Sequence, residues 1–227
     1  MTREEWEACT DPARMLDDLG RPLLEMNRDE ARDRKLRLFA CACCRRAWEQ
    51  IGDAAGGRAA EAAERFADGL LGPAEARQEA EAWRAAERAA VPARMDHAWA
   101  AVRALVQEAP YTAARIARWN TCLARGESCQ AEEAAAQAGL LRCVGGPPLD
   151  NALPFDPAWR TPAIVSLAEA AYQQRLLPSG ELDPQRLAIL ADALEEASAA
   201  EEVLAHLRSP GPHVRGCFAV DLALGRG

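Results

Sequence analysis

The sequence predicts an all-α protein, a multi-helix orthogonal bundle or array with a C-terminal helical segment packed on the N-terminal array. Apolar residues make up 49% of the chain, but aromatic residues only 5%, because alanine supplies much of the apolar share. Alanine-rich surfaces let helices pack closely and favour helix formation. Apolar residues recur at helical spacing along most of the chain, whereas strand-like alternation is almost absent.

Proline directly after an aspartate or threonine predicts four helix starts. A short polar side chain can cap the first turn, and proline is tolerated at the first helical position. The four pairs are Asp11-Pro12, Asp156-Pro157, Thr161-Pro162 and Asp183-Pro184. After a first helix that stops at Gly20, we predict helices at about 27–51, 55–69, 73–90, 92–108, 111–125, 129–143, 161–176, 184–197, 199–208 and 213–224.

The helix predicted at 27–51 carries an apolar stripe and a basic run. The stripe comprises Leu36, Ala40, Cys43, Ala47 and Ile51. The basic residues are Arg28, Arg32, Arg34, Lys35, Arg37, Arg45 and Arg46, interleaved with Asp29, Glu30 and Asp33. We interpret this run as a solvated helix face with salt-bridging pairs, and expect Arg45 and Arg46 to extend to solvent. Three tryptophans, Trp83, Trp99 and Trp119, fall on three other helices and are expected to anchor the core.

A stretch rich in proline and glycine predicts the domain organisation. "GGPPLDNALPFDPAW", residues 145 to 159, contains two glycines and four prolines, which prevent a long regular helix. We therefore predict an Ala-rich helical array at 1–144, a linker or ordered loop at 145–160, and a C-terminal helical module at 161–227.

Charge and hydropathy exclude several classes of partner. The net charge of −8 argues against nucleic acid, because phosphate binding requires a basic face. No stretch approaches the 18 apolar residues of a membrane span, and the acidic N-terminus does not resemble a secretory signal. We expect a cytoplasmic location, where the eight cysteines would be thiols or metal ligands.

The segment "FACACCRRAW", residues 39 to 48, raises the question of a metal site. Cys41 and Cys44 lie three residues apart and share one side of a continuous helix. In "SPGPHVRGCF", His213 and Cys217 lie four apart and would also share a side if the helix begins near Pro212. These four residues predict a closed, tetrahedral Cys₃His zinc site. His206 is an alternative ligand, and Cys143 is an alternative thiol.

Two other interpretations of the cysteines stay open. Free cysteine packs in cores as a small apolar residue, so helix packing also explains these cysteines. A thiol enzyme or redox sensor would instead need a thiolate near an imidazole and a carboxylate, for which Cys44, His213 and Asp221 are candidates. The sequence contains no nucleophile elbow, phosphate-binding loop or other catalytic motif. We therefore assign no catalytic or cofactor-binding residues.

Several segments resemble one bacterial family. They are "EEWEACTDPARML", "DRKLRLFACACCRRAW", "AERFADG", "LAILADALEEA" and "GPHVRGCFAVDLALG". Together they resemble uncharacterised proteins common in planctomycete-type bacteria, which sometimes carry a SUKH-type immunity label from neighbouring domains. The resemblance covers both ends of the chain, with little in the Ala-rich middle. It implies a portable C-terminal module and, by association, a regulatory or defence accessory role.

The function that the sequence favours is that of a non-enzymatic cytoplasmic interaction or scaffold protein. Grooves between its helices would bind another protein. One alternative is a zinc-stabilised binding module that uses Cys41, Cys44, His213 and Cys217. The other is a thiol-based enzyme or redox sensor that uses the same cluster.

Overall fold

The computed structural model describes residues 1–20, 30–48, 54–89, 105, 109–126, 128, 130–147 and 156–226. The all-α prediction is confirmed, since these residues form eleven α-helices, one 3₁₀ turn and one two-stranded sheet. The helices are α1 (Arg3–Ala8), α2 (Pro12–Gly20), α3 (Glu30–Arg46), α4 (Ala54–Ala67), α5 (Pro73–Ala89), α6 (Pro110–Ala124), α7 (Gln130–Gly145), α8 (Pro162–Gln173), α9 (Pro184–Glu196), α10 (Glu201–Arg208) and α11 (Phe218–Leu224). Among these described helices, none is long and apolar enough to cross a membrane.

The chain divides into two compact units. The central unit is Thr10–Ala138, and the terminal unit combines Met1–Cys9 with Gly139–Gly227. The linker predicted at 145–160 stays a prediction, because residues 148–155 lie outside the described residues. At its end, Asp156 caps the 3₁₀ turn Pro157–Trp159 by accepting a hydrogen bond from the amide of Ala158.

Helix α3 is the core of the central unit. It packs against α4 and α6, while α5 packs against α4 and α2 against α6. Leu36, Ala40, Cys43 and Ala47 are all buried, as the apolar stripe predicts. Ile51, the last member of the stripe, lies outside the described residues, as do Trp99 and all of the predicted helix 92–108 except residue 105.

The prediction that the arginines of α3 face solvent is wrong for Arg45. Its Nε atom lies 2.6 Å from a carboxylate oxygen of Glu64, and both side chains are buried. Arg46 donates to Glu133 of α7, whose side chain is also fully buried. Their partners therefore come from other helices, which periodicity within one helix does not reveal. The prediction that Trp119 anchors the core is also wrong, since this residue is 57% exposed.

The terminal unit is built on helices α8 to α11. Helix α9 packs against α8 and α10, and α11 packs against α8 and α10. Thr161 and Asp183 cap α8 and α9 as predicted, each accepting a hydrogen bond from the first turn that follows. Buried Leu187, Leu190 and Leu194 of α9 supply one face of this core.

A short β-hairpin, which the sequence did not predict, separates α8 from α9. Strand β1 (Arg175–Leu176) pairs antiparallel with β2 (Glu181–Leu182), and Glu181 also forms a bridge with Val214. The helix predicted at 213–224 is wrong at its start, because α11 begins only at Phe218. Gly216 has φ of +88°, a left-handed conformation that favours glycine and interrupts a right-handed helix.

Candidate metal centre

Four side chains of the terminal unit come together as a group of metal-binding type. They are Cys143, His206, His213 and Cys217, and their ligand atoms all lie within 4.8 Å of one another. Two thiols and two imidazoles form a donor set that is typical of structural zinc sites. Among the residues that the structure describes, this is the group of three or more histidine, cysteine or acidic side chains that lie close enough together to hold a metal ion. We refer to it as the Cys/His cluster.

Each ligand comes from a different local structure. Cys143 lies in the last turn of α7, and His206 lies on α10. His213 is held by backbone pairing to the hairpin, since its carbonyl oxygen accepts a hydrogen bond of 2.8 Å from the amide of Leu182. Cys217 is the N-cap residue of α11. Helix ends and a paired strand segment therefore fix the backbone on which the cluster is built.

The ring of His213 is oriented by a hydrogen bond outside the cluster. Its Nε2 atom lies 3.0 Å from the carbonyl oxygen of Ser209. A carbonyl oxygen only accepts, so Nε2 carries the proton and donates it. In the neutral ring Nδ1 then keeps its lone pair, and this buried atom has no hydrogen-bond partner. A ring that donates one N–H to a backbone carbonyl and leaves the other nitrogen free is the usual arrangement of a metal-binding histidine.

His206 contacts the other members of the cluster through its ring. Its Nε2 atom lies 3.4 Å from the sulfur of Cys217. The ring meets that of His213 edge to face, with centroids 4.8 Å apart, and packs against Phe218 with centroids 4.4 Å apart. Cys143, His213 and Cys217 are buried, whereas His206 is half-buried. His206 is therefore the side of the cluster nearest to solvent.

The charge balance of the cluster favours an ionised sulfur. Burial by itself raises the pKa of Cys217, but the neighbouring Cys143, His206 and His213 side chains lower that pKa well below its ordinary value. Burial lowers the pKa of His213, but the neighbouring Cys217 sulfur and the Ser209 carbonyl more than offset it, so the pKa is raised. A thiolate is the form of cysteine that binds metals.

The spacing of the cluster fits one tetrahedral ion. With Zn–S bonds of about 2.3 Å and Zn–N bonds of about 2.0 Å, a sulfur and a nitrogen on the same ion lie about 3.5 Å apart. The observed Cys217–His206 separation of 3.4 Å agrees with that value. The limit of 4.8 Å for the whole group leaves about 1 Å of side-chain movement to complete the shell. Four protein ligands make such a site closed, which is the structural type.

Half of the zinc site predicted from the sequence belongs to this cluster. His213 and Cys217 are members of it, and the alternatives Cys143 and His206 are the other two. The predicted ligands Cys41 and Cys44 are not members; they lie on α3 in the central unit and are buried. Burial raises the pKa of both thiols, which favours the protonated form. Their role as metal ligands stays a prediction.

The sequence offered a weak signal for the two ligands of the alternative set. Cys143 stands 63 residues before His206 and has no second ligand near it in the chain, so no local spacing marks it. His206 and His213 stand seven residues apart, a spacing that places two side chains on one face only when both lie in the same helix. Helix α10 ends between them. The pairing of residues 213–214 with the hairpin, which is not a helical contact, positions His213 in the cluster.

Comparison with protein-family models, with curated proteins and with solved structures gives no match for this chain. The resemblance to planctomycete-type proteins accordingly stays a prediction.

Proposed function

We propose that this chain is a non-enzymatic helical protein whose terminal unit is stabilised by a structural zinc ion bound to Cys143, His206, His213 and Cys217. The observation that carries the proposal is the buried, unpartnered Nδ1 atom of His213 within a group of two thiols and two imidazoles. A buried nitrogen without a partner is costly, and a metal bond would satisfy it. Four protein ligands leave no open position for a substrate, which supports a structural role.

A bound zinc ion would connect several separate segments of the terminal unit. Its ligands come from α7, α10, the segment after Ser209 and the start of α11, which are short or end close to the cluster. A structural zinc ion contributes directly to folding free energy, because the site does not exist in the unfolded chain. Zinc would therefore add a direct link between these helix ends.

Metal analysis of the purified full-length chain tests the proposal. We expect about one zinc ion per chain and a lower melting temperature after a strong chelator removes it. Restoring zinc should restore the melting temperature, whereas magnesium or calcium should not, because those ions prefer oxygen ligands. A chain that purifies without zinc, takes up none on titration and melts at the same temperature with chelator would contradict the proposal.

Paired variants distinguish this ligand set from the one predicted from the sequence. We expect Cys143→Ala and His206→Ala to lose zinc, and Cys41→Ala and Cys44→Ala to keep it. The opposite pattern would mean that the thiols of α3 bind the metal. Because buried substitutions can also unfold the chain, circular dichroism accompanies each measurement of zinc content.

The wider role that we propose is interaction with another protein. Large apolar side chains on the surface support it: Trp119 is 57% exposed on α6, and Leu177 at the tip of the hairpin is 70% exposed. Exposed tryptophan is common among the anchors of protein interfaces. We expect Trp119→Ser or Leu177→Ser to leave the melting temperature unchanged and to abolish co-purification of a specific partner from the native host. Unchanged co-purification by both variants would contradict a role for these side chains.

A further inference from the structure

The Cys/His cluster contains two thiols that lie close enough to react with each other. The sulfurs of Cys143 and Cys217 are both among the atoms within 4.8 Å of one another. A disulfide requires a sulfur–sulfur distance of about 2.05 Å, so the sulfurs would need to approach by less than about 3 Å. Cys143 lies in the last turn of α7 and Cys217 immediately before α11. Backbone at helix ends adjusts more easily than backbone inside a helix.

Both sulfurs are buried, so a small oxidant would reach them past His206, the half-buried member of the cluster. Cys217 lies 3.4 Å from the ring of His206. A peroxide is comparable in size to one or two water molecules, so a small movement of the side chains beside that ring would admit it.

We propose that Cys143 and Cys217 are a redox pair that forms an intramolecular disulfide when a peroxide reaches the cluster, and that formation of this disulfide releases the metal. The release of metal rests on the proposed function, whereas the disulfide rests on the position of the two sulfurs alone.

The reaction balances with one peroxide per disulfide. The sulfur of Cys217 attacks one peroxide oxygen, forming an S–O bond as the O–O bond breaks and hydroxide leaves. The sulfur of Cys143 then attacks the oxidised sulfur, forming the S–S bond and expelling a second hydroxide. Two thiolates are oxidised by two electrons, the peroxide is reduced, and two protons convert the hydroxides to water. The zinc ion leaves because two imidazoles alone hold it weakly.

Peptide mapping of the wild-type full-length chain tests the proposal without any substitution. Zinc-loaded protein is treated with one equivalent of hydrogen peroxide, and released zinc is measured with a coloured chelator. We expect one zinc ion released per disulfide, a crosslinked peptide that joins residues 143 and 217 in non-reducing mass spectrometry, and reversal by a thiol reductant. Peptides of 143 and 217 that stay unlinked, carry only sulfinic acid or are linked to other cysteines would overturn the proposal.

Two variants complete the test. Cys9→Ala removes a half-buried thiol of the terminal unit outside the cluster and should change neither zinc release nor the crosslink. Cys143→Ala should abolish the crosslink. If the chain holds no zinc but the 143–217 disulfide forms, the metal proposal is wrong and the redox pair stands. If zinc binds and no disulfide forms, only the redox pair is wrong.

Discussion

The Nε2 atom of His213 lies 3.0 Å from the carbonyl oxygen of Ser209, and this contact determines which nitrogen of the neutral ring keeps a lone pair. The carbonyl fixes the proton on Nε2, so that Nδ1 is the nitrogen with a lone pair to offer. In His206 the assignment is reversed, because its Nε2 atom faces the sulfur of Cys217 at 3.4 Å. The two histidines would therefore bind one ion through different nitrogens.

Nitrogen-15 NMR of histidine-labelled protein checks that difference. In the zinc-loaded chain we expect His213 to bind through Nδ1 with Nε2 protonated, and His206 to bind through Nε2. His97, the third histidine of the sequence, lies outside the described residues, so its signal is assigned separately. Zinc bound to Nε2 of His213 would show that the Ser209 contact does not set the tautomer.

Replacing Gly146 by alanine should destabilise the terminal unit. Gly146 has φ of +71°, and a Cβ atom there would lie 2.9 Å from Cγ of Phe218, the residue that follows ligand Cys217. Left-handed strain and overpacking together should lower the free energy of unfolding by about 2–4 kcal/mol in urea titrations. Gly69 is a matched control, since its φ is +69° with nothing within 4 Å of its Cβ position, so Gly69→Ala should cost only about 1 kcal/mol. Equal losses in both variants would exclude the contact with Phe218 as a cause.

Removing one partner of the ion pair of Arg45 and Glu64 should strongly destabilise the central unit. Their side chains are only 5% and 3% exposed, and two hydrogen bonds of 2.6 and 3.0 Å join them. Glu64→Ala leaves a buried guanidinium without this partner and should lower the free energy of unfolding by about 3–5 kcal/mol. Glu61 contacts the same guanidinium at 3.1 Å from a 45% exposed position, so Glu61→Ala should cost less than about 1 kcal/mol. Denaturant titration of both variants compares the two costs.

The central unit should lose stability in alkaline solution because of its buried thiols. Burial raises the pKa of Cys41, Cys43 and Cys44 above the ordinary value of 9.0. Above pH 9 the unfolded chain loses thiol protons that the folded chain keeps, so the free energy of unfolding falls as pH rises. Each thiol contributes a slope of up to about 1.4 kcal/mol per pH unit. Below pH 8 the ionisation of these thiols should not change the free energy of unfolding.

Denaturant titrations of the wild type and Cys44→Ala between pH 8 and 10 measure that slope. The free energy of unfolding of the variant should fall less steeply with pH than that of the wild type, and the difference should be about the slope that one thiol contributes. The absolute stability of the variant at pH 8 does not affect this comparison. Identical slopes would show that Cys44 ionises as easily in the folded chain as in the unfolded one.

Helix α1 should depend on Arg142. The guanidinium donates to the carbonyl oxygens of Cys9 and Trp6, at 2.8 and 3.3 Å, at the end of that short helix. Arg142→Ala should therefore increase hydrogen exchange of the α1 amides, because carbonyls at a helix end lose their partner. Arg3→Ala, which removes an exposed pair with Glu7, should change exchange little. Equal exchange in the two variants would contradict an anchoring role for Arg142.

Sequence patterns predicted most helices because their causes are local. Thr161 and Asp183 cap the next turn through contacts between near neighbours, and the stripe of α3 reflects periodicity within one helix. The prediction failed where the cause is distant in the chain. Arg45 is buried because Glu64 lies on another helix, and the hairpin at 175–182 gains a partner from residue 214.

The Cys/His cluster shows that sequence patterns also fail to predict a functional site whose residues are distant in the chain. Regular spacing within helices singled out Cys41 with Cys44 and His213 with Cys217. His213 is not helical, however, and its place depends on a hydrogen bond to Leu182. Cys143 and His206 could be proposed as ligand types, but their proximity results from tertiary structure that no local pattern encodes.

The hydrogen bond between the His213 carbonyl and Leu182 also constrains the order of folding. Cys143 and Cys217 stand 74 residues apart, and the hairpin that positions His213 lies between them. A loop of that length closes more slowly than local helices and turns form, because the chain loses conformational entropy before non-local contacts compensate for that loss. Zinc would thus be captured late, after the helices and the hairpin have formed. The ion would then act chiefly by slowing the reopening of a finished unit, so that removing it should raise the unfolding rate far more than it lowers the folding rate.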